Sequence, residues 1–183
     1  MVKEGNKVKN FNLLDFLGNE HSLSKYLGKK VVIYIYPKDN TPGCTAQACN
    51  FRDNYEYFKE NDIVLLGISA DSQKSHEKFI NKYKLPFTLL SDEDYSVIKY
   101  FGAWGVRNVY GRQIKGIIRS TYLIDEKGYL EKVWHPANAY KNTLEVIEYL
   151  NKWCKKYVKR LNHIDFKRFF LYNKKCVETL RRN

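Results

Sequence analysis

Two cysteines five residues apart are the residues of this chain whose type and spacing could do chemistry. Cys44 and Cys49 lie in the segment YPKDNTPGCTAQACNFRD, residues 36–53. Within it, Thr41-Pro42 is typical of a helix start, with the threonine at the N-cap and the proline at the first helical position. Cys44 would then lie in the first turn, where unpaired backbone N–H groups and the helix dipole favour a thiolate. The spacing i, i+4, i+7 and i+11 places Cys44 on one inward helix face with Ala48, Phe51 and Tyr55. The segment therefore predicts a partly enclosed nucleophile reached through a small pocket.

The spacing of Cys44 and Cys49 prevents them from bonding within an intact helix. Five residues correspond to about 140° of rotation and 7.5 Å of rise, which puts the two Cα atoms about 8.7 Å apart. A disulfide needs a Cα separation of about 4.4–6.8 Å. If the pair is redox-active, the start of the helix must unwind during turnover.

Spacing alone leaves other interpretations of the two cysteines open. Both could be core residues, since cysteine is among the most buried residue types. A metal site is less well supported, because no histidine or second cysteine pair lies at ligand spacing. The C-x-x-C motif of thioredoxin-type dithiols is absent.

The elements that position these residues follow from the apolar pattern. Runs rich in β-branched and aromatic residues predict buried strands at Val31–Tyr36, Ile63–Ser69, Phe87–Leu90 and Thr121–Ile124, and an antiparallel partner at Tyr129–Trp134. Helices are predicted at Ser72–Lys84, Asp94–Phe101 and Asn142–Tyr157. This alternation indicates an α/β sheet covered on both faces. The cysteine segment follows the first strong strand, at the carboxyl end where such sheets bind ligands.

Composition and charge exclude several classes of protein. Hydrophobic residues make up 44% and aromatic residues 15%, enough for a core and unlike a disordered chain. No apolar run approaches the roughly 18 residues of a membrane span, and the N-terminus is unlike a signal peptide. We therefore expect a soluble cytoplasmic protein, with the nucleus or an organelle as alternatives.

The basic charge is concentrated at the C-terminus. Residues 155–183 hold ten Lys and Arg against two acidic residues, a net charge of +8, which leaves +4 of the total +12 for residues 1–154. We expect one domain over 1–154 and a basic helical extension over 155–183. The extension would dock on the domain or a partner chain, with contact to nucleic acid or an anionic membrane as the alternative. Cys154 is predicted to be a core residue, and Cys176, beside lysines, a possible second redox thiol.

A family resemblance rests on the cysteine segment and on two later blocks. Pro37-x-x-x-Thr41-x-x-Cys44 is similar to the signature of the peroxiredoxins, and the whole segment resembles the bacterioferritin-comigratory-protein (PrxQ-type) branch. Residues 101–105 (FGAWG) and 116–125 (GIIRSTYLID) resemble later blocks of that branch, the second including its active-site arginine. The similarity covers roughly residues 3–152. It implies a thioredoxin-like fold with a central mixed sheet flanked by helices.

The resemblance also implies a role for each residue. Cys44 would be the peroxidatic cysteine, and Arg119 would hold its thiolate and the peroxide. Thr41 would supply a hydroxyl, and Pro37 would shape the pocket without taking part in proton transfer. Cys49 would resolve the sulfenic acid as an intramolecular disulfide, the atypical two-cysteine cycle. Thioredoxin or a glutaredoxin-like dithiol would reduce that disulfide. No metal or bound organic cofactor is required, and a monomer or weak dimer is expected.

The same cysteines could serve a peroxide sensor that passes its disulfide to another protein, and the basic extension could make the chain a nucleic-acid or membrane-surface binding module. Gln47 could lie near the pocket or on a solvated position. His76 is predicted to be solvated on the polar side of its helix. His135 has no partner visible in the sequence, so a catalytic histidine is not expected.

Overall fold

The computed structural model describes residues 2–109 and 111–158 of the chain. Its helices are Pro42–Asp53 (α1), Tyr55–Glu60 (α2), Gln73–Tyr83 (α3), Ser96–Tyr100 (α4) and Asn142–Val158 (α5), with a 3₁₀ turn at Leu23–Tyr26. Its strands are Asn12–Leu14 (β1), Glu20–Ser22 (β2), Val31–Ile35 (β3), Val64–Ser69 (β4), Thr88–Ser91 (β5), Trp104–Val109 (β6), Arg112–Ile117 (β7), Ser120–Ile124 (β8) and Leu130–Trp134 (β9).

Seven of these strands form one mixed sheet in the order β2-β1-β5-β4-β3-β8-β9. Strands β3, β4 and β5 run parallel, whereas β8 pairs antiparallel with β3, and β9 with β8. The predicted α/β fold with a central mixed sheet and flanking helices is confirmed. Strand β3 lies inside the sheet, and α1 follows its carboxyl end.

Strand β3 is buried on both faces, which explains its continuous apolar run. Val31, Ile33 and Ile35 pack into the core that also contains α4. Val32 and Tyr34 point the other way, into the core formed with helices α1, α2, α3 and α5. Burial of one such large side chain contributes about 1.5–3 kcal/mol to stability. The strand therefore fixes the point from which the cysteine segment starts.

Tyr34 of β3 links the sheet to α1. Its ring stacks on Phe51 of α1, with the centroids 4.9 Å apart. On the adjacent strand, Gly67 is the register partner of Tyr34, and a Cβ atom at Gly67 would lie only 2.7 Å from the Tyr34 ring. Gly67 is thus required because the tyrosine ring fills the space that its side chain would need.

Five predicted strands and the three predicted helices are present, with ends shifted by a few residues. The antiparallel partner predicted at Tyr129–Trp134 is β9, joined to β8 by a turn in which Asp125 Oδ1 accepts from the N–H groups of Lys127 and Tyr129. Four strands were not predicted. β1 and β2 have three residues each, and β6 and β7 form a separate two-stranded sheet whose β7 side chains are largely exposed. Short or exposed strands carry no continuous apolar run.

Helix α5 matches the predicted helix over Asn142–Tyr157 and extends to Val158. The backbone of Cys154 belongs to it, but its side chain lies outside the described residues, as does Cys176 together with the chain after Val158. Residues 155–158 of the predicted extension are the last residues of α5, and the rest of the extension stays a prediction, as does its helical character. Among residues 2–109 and 111–158, no helix has the length and apolar character needed to cross a membrane.

Candidate active site

The loop of residues 37–41 carries the chain from β3 into α1. Pro42 is the first residue of α1 and Thr41 its N-cap, as predicted, and the Thr45 N–H donates to the Thr41 carbonyl at 2.8 Å. The Thr41 hydroxyl does not cap the helix, however, because it donates to the carbonyl of Lys38 at 3.0 Å. The N–H groups of the first turn have no acceptor within the helix, and the Thr41 side chain does not provide one.

Cys44 lies in the first turn of α1 and is 1% exposed. It shares the buried face of the helix with Ala48 and Phe51, so the predicted inward face is confirmed. Tyr55, expected on the same face, belongs to α2 and is half-buried. Burial raises the pKa of the neighbouring Tyr34 well above its usual value, and the charges of Asp39 and Cys44 raise it further. Tyr34 thus stays a neutral phenol beside the thiol.

Arg119 immediately precedes β8 and contacts the Cys44 thiol, although the two residues are 75 positions apart in the sequence. Its Nη2 donates to Cys44 Sγ at 3.2 Å, and its Nη1 donates to Gln47 Oε1 at 2.6 Å. The Arg119 carbonyl accepts from the Ala137 N–H at 2.8 Å, which fixes the backbone behind the guanidinium. One planar cation therefore contacts two side chains of α1 a turn apart.

Gln47 is fully buried and joins three elements. Besides accepting from Arg119, its Nε2 donates to Asn142 Oδ1 at 3.0 Å. Thr121 Oγ1 of β8 donates to the same Asn142 oxygen at 2.6 Å. Of the two positions left open for Gln47 by the sequence, the structure selects the one beside the pocket. We call Arg119, Gln47, Asn142 and Thr121 the amide network.

Cys49 lies on the same helix as Cys44 and is half-buried. Both thiols are free, and α1 is continuous from Pro42 to Asp53. The structure is therefore the reduced form with the helix intact, in which ideal geometry keeps the two Cα atoms about 8.7 Å apart. Beyond Cys49, the helix is held by Asn50 Nδ2, which donates to the Tyr140 carbonyl at 3.2 Å.

The loop before α1 contains a buried carboxylate that the sequence analysis did not single out. Asp39 is 5% exposed and lies two residues after the half-buried Pro37. A polar residue in the loop that follows a buried strand was a signal that the sequence offered, because such loops position the residues of a site. Its partner corrects a prediction: His76 is fully buried, not solvated, and its Nδ1 contacts Asp39 Oδ2 at 3.0 Å.

Neither His135 nor a metal-binding group adds to this site among the described residues. His135, for which the sequence showed no partner, has Nδ1 2.7 Å from Ser120 Oγ, and burial lowers its pKa. In the part of the chain that the structure describes, no three His, Cys, Asp or Glu side chains could together hold a metal ion. The site thus consists of a buried thiol, a cation in contact with it, and a set of neutral hydrogen-bonding side chains. Such a set can stabilise negative charge on sulfur and on an atom that sulfur attacks.

The chain is similar to known protein sequences over most of its length. The AhpC/TSA family matches residues 5–133. Peroxiredoxin Bcp of Bacillus subtilis (strain 168) is 41% identical over 155 residues, which cover 85% of this chain and 99% of that protein. The chloroplastic Peroxiredoxin Q of Sedum lineare is 45% identical over 153 residues, covering 81% of this chain and 80% of that protein.

Solved structures show the same similarity in three dimensions. A structure of the Xanthomonas campestris bacterioferritin comigratory protein, studied for alkyl peroxide reduction, has a TM-score of 0.73 at 33% identity, covering 78% of this chain and 90% of that one. A cysteine-to-serine mutant of Xylella fastidiosa PrxQ has a TM-score of 0.78 at 30% identity, covering 83% of this chain and 97% of that one.

Proposed function

The chain belongs to the AhpC/TSA family, among the Bcp/PrxQ peroxiredoxins, and we propose that Cys44 and Cys49 carry out its peroxidase reaction. As a peroxiredoxin it is a thiol-dependent peroxidase with the thioredoxin-like fold. The observation that supports Cys44 as the nucleophile is the 3.2 Å contact between its Sγ and Arg119 Nη2. A guanidinium at this distance can stabilise negative charge on the sulfur that attacks the peroxide.

The first step is attack of the Cys44 thiolate on the terminal oxygen of a hydroperoxide. The S–O bond forms as the O–O bond breaks, which leaves a sulfenic acid on Cys44. The released alkoxide or hydroxide takes up a proton and departs as an alcohol or water. Sulfur is oxidised by two electrons, and the peroxide is reduced by two.

Negative charge moves from sulfur to the leaving oxygen during this step, and the donors that meet it are already in place. Arg119 contacts the thiol, and the N–H groups of Gly43 and Cys44 lie in the first turn without an intrahelical acceptor. The Thr41 hydroxyl donates its hydrogen bond to the Lys38 backbone carbonyl, so the hydroxyl oxygen can accept a hydrogen bond from the peroxide. Pro37 is assigned the role of shaping and covering the pocket.

The second step requires α1 to change shape. Cys49, as a thiolate, attacks the Cys44 sulfenic sulfur, and a disulfide forms as hydroxide leaves and is protonated to water. Because the helical spacing exceeds disulfide reach, the first turns must unwind. Unwinding breaks the contacts of Arg119 with Cys44 and Gln47. The bond from Asn50 to Tyr140 lies beyond Cys49 and can persist.

The disulfide must then be reduced by an external dithiol. We assign this to thioredoxin or a glutaredoxin-like protein, by thiol–disulfide exchange. Hydrogen peroxide and organic hydroperoxides are the proposed substrates, in line with the alkyl peroxide reduction for which the Xanthomonas relative was studied. Oligomeric state stays a prediction. The cytoplasmic location does too, because the relatives include chloroplastic proteins.

A peroxide-consumption assay with a thioredoxin system tests the assignment. Wild type is compared with Cys44→Ser and Cys49→Ser, and the sulfenic acid is trapped with a dimedone-type reagent. We expect Cys44→Ser to lose all turnover. Cys49→Ser should lose thioredoxin-supported turnover while still forming one sulfenic acid per chain. Normal turnover in Cys49→Ser would refute its resolving role, and an inactive wild type would refute the peroxidase assignment.

A further inference from the structure

A second buried polar cluster includes the 37–41 loop and lies outside the peroxide site. Asp39 is its centre. Its Oδ1 accepts from the Tyr36 hydroxyl at 2.7 Å, and its Oδ2 accepts from Ser75 Oγ at 2.7 Å and is 3.0 Å from His76 Nδ1. Its backbone N–H donates to Asp71 Oδ2 at 2.9 Å. The loop is thereby attached to α3 and to the segment after β4. We call these residues the Asp39 cluster.

His76 is held in this cluster through one ring nitrogen. Its side chain is fully buried, and Nε2 has no hydrogen-bond partner among the described residues. Burial raises the pKa of Asp39, but the hydrogen bond and charge of His76 and the bonds from Ser75 and Tyr36 outweigh it and lower that pKa. An ionised Asp39 can only accept, so His76 Nδ1 must carry the proton of their hydrogen bond. The interaction therefore depends on Nδ1–H and makes no use of Nε2.

The residue that follows Asp39 has a left-handed backbone conformation. The next residue, Asn40, has a φ of 56°, in the left-handed region that is uncommon for residues other than glycine. Thr41 follows as the N-cap of α1. Asparagine adopts this region more readily than most residues, so the four bonds to Asp39 are not needed to relieve strain; they fix the position of the residue from which this turn into α1 starts. Loss of that constraint would be felt first in the opening turn of α1, which contains Cys44.

We propose that His76 is a positioning residue for the peroxidase reaction, acting through its Nδ1–H on Asp39 to keep the 37–41 loop and the first turn of α1 in the reactive shape. This inference rests on the proposed function of Cys44 and Cys49. It assigns His76 no contact with the peroxide. His76 would thus determine how easily the first turn of α1 unwinds.

The two steps of the cycle should respond to this residue in opposite ways. Attack on peroxide needs the folded first turn, where Arg119 contacts the sulfur and the first N–H groups of the helix have no intrahelical acceptor. Disulfide formation needs the same turn to unwind. Weakening the Asp39 cluster should therefore slow the first step without slowing the second. A general loss of folded protein would lower both together.

Two substitutions of His76 distinguish the roles of its two ring nitrogens. The amide nitrogen of Asn overlays Nδ1, so His76→Asn keeps the donor to Asp39, whereas the amide nitrogen of Gln overlays Nε2, so His76→Gln loses it. Rapid mixing of the reduced protein with hydrogen peroxide, then acid quench, alkylation and mass spectrometry, measures Cys44 oxidation and disulfide formation separately. For His76→Gln we expect about tenfold slower oxidation with disulfide formation unchanged or faster, and for His76→Asn both rates within about threefold of wild type.

A second variant keeps the test valid if His76→Gln folds poorly. Ser75→Ala removes another hydrogen bond to the same carboxylate oxygen and should show the same split with a smaller amplitude. Equal slowing in His76→Gln and His76→Asn, equal slowing of both steps, or an unchanged oxidation rate in His76→Gln would each overturn the inference. Failure of wild-type Cys44 to react with peroxide would instead refute the proposed function, so the two failures can be told apart.

Discussion

The amide network and the Asp39 cluster both reach the start of α1, but they are built from different chemistry. In the amide network the only charged group is Arg119, and its described partners are the Cys44 thiol and the neutral amide of Gln47. In the Asp39 cluster the carboxylate receives hydrogen bonds on both oxygens. The first arrangement leaves the charge of the arginine available to the sulfur, whereas the second uses its charge to hold a loop. A cation with neutral partners can serve a reaction, and a carboxylate with several donors can fix a backbone.

Removing the cation of the amide network should give the largest effect. In Arg119→Met, the thiolate and the developing charge on the leaving oxygen lose their donor, so the second-order rate of Cys44 oxidation should fall by about 10²–10³-fold. Stopped-flow mixing with hydrogen peroxide measures it. Arg119→Lys is the matched control, because a lysine keeps the charge but lacks the planar fork that contacts Cys44 and Gln47 together. A fall of less than tenfold in Arg119→Met would show that its charge does not act on the reaction.

Removing the amide at position 47 should have a smaller effect on rate and a clear one on stability. Gln47→Met leaves Arg119 Nη1 without its acceptor and Asn142 without one donor, while side-chain volume is nearly kept. We expect the free energy of unfolding to fall by about 1–3 kcal/mol. Urea unfolding measures this, and the oxidation rate should fall less than in Arg119→Met. A larger loss of rate than in Arg119→Met would mean that Gln47 contacts the substrate itself.

The Asp39 cluster should make stability depend on pH. Burial alone would raise the pKa of Asp39. The hydrogen bond and charge of His76, together with the other donors, outweigh burial and lower this pKa overall. Its stabilising contribution is therefore present above the unfolded value of about 3.9 and is lost as the pH falls through the lower folded value. The stability difference between wild type and Asp39→Asn should be about 1–3 kcal/mol near pH 6 and should shrink towards about pH 3. Denaturant unfolding at both pH values tests this, and a difference independent of pH would contradict it.

The smallest effect is expected beyond Cys49. Asn50→Ala removes one exposed hydrogen bond, from Asn50 Nδ2 to the Tyr140 carbonyl, and should cost at most about 1 kcal/mol. Neither Cys44 oxidation nor disulfide formation should change, because only the turns before Cys49 need to unwind. Quench-flow measurement of both steps provides the comparison. Faster disulfide formation in Asn50→Ala would show that the unwinding extends past Cys49.

The sequence predicted those features of the site that depend on neighbouring residues alone. The helix start at Thr41-Pro42 and the inward side of Cys44 follow from capping and helical spacing, and both are observed. Arg119 was identified only through the family resemblance, since nothing in its neighbourhood indicates a contact 75 residues away in sequence. Asn142 and Thr121 were missed for the same reason. Partners so distant in sequence are brought together by the sheet and leave no periodic pattern.

His76 shows how a local signal was misread. Its polarity placed it on the solvent side of the predicted helix. Phe79 lies three residues later, on the same side of an α-helix, and is fully buried as well. The spacing to that phenylalanine was the better indicator. A polar residue that shares a face with a core aromatic needs a buried partner, and here Asp39 is that partner.

The pairing of Tyr34 with Gly67 has a consequence for which sequences this fold can accept. The ring that supports α1 occupies the space above its neighbour, where an added methyl group would lie 2.5 Å from Leu89 Cδ2 and 2.7 Å from the ring. Neither position can therefore change alone: a larger residue at 67 has no room, and a smaller one at 34 leaves a cavity beneath Phe51. We therefore expect that substitutions at positions 34 and 67 would have to arise together, although the two strands are adjacent only in space and not in the gene.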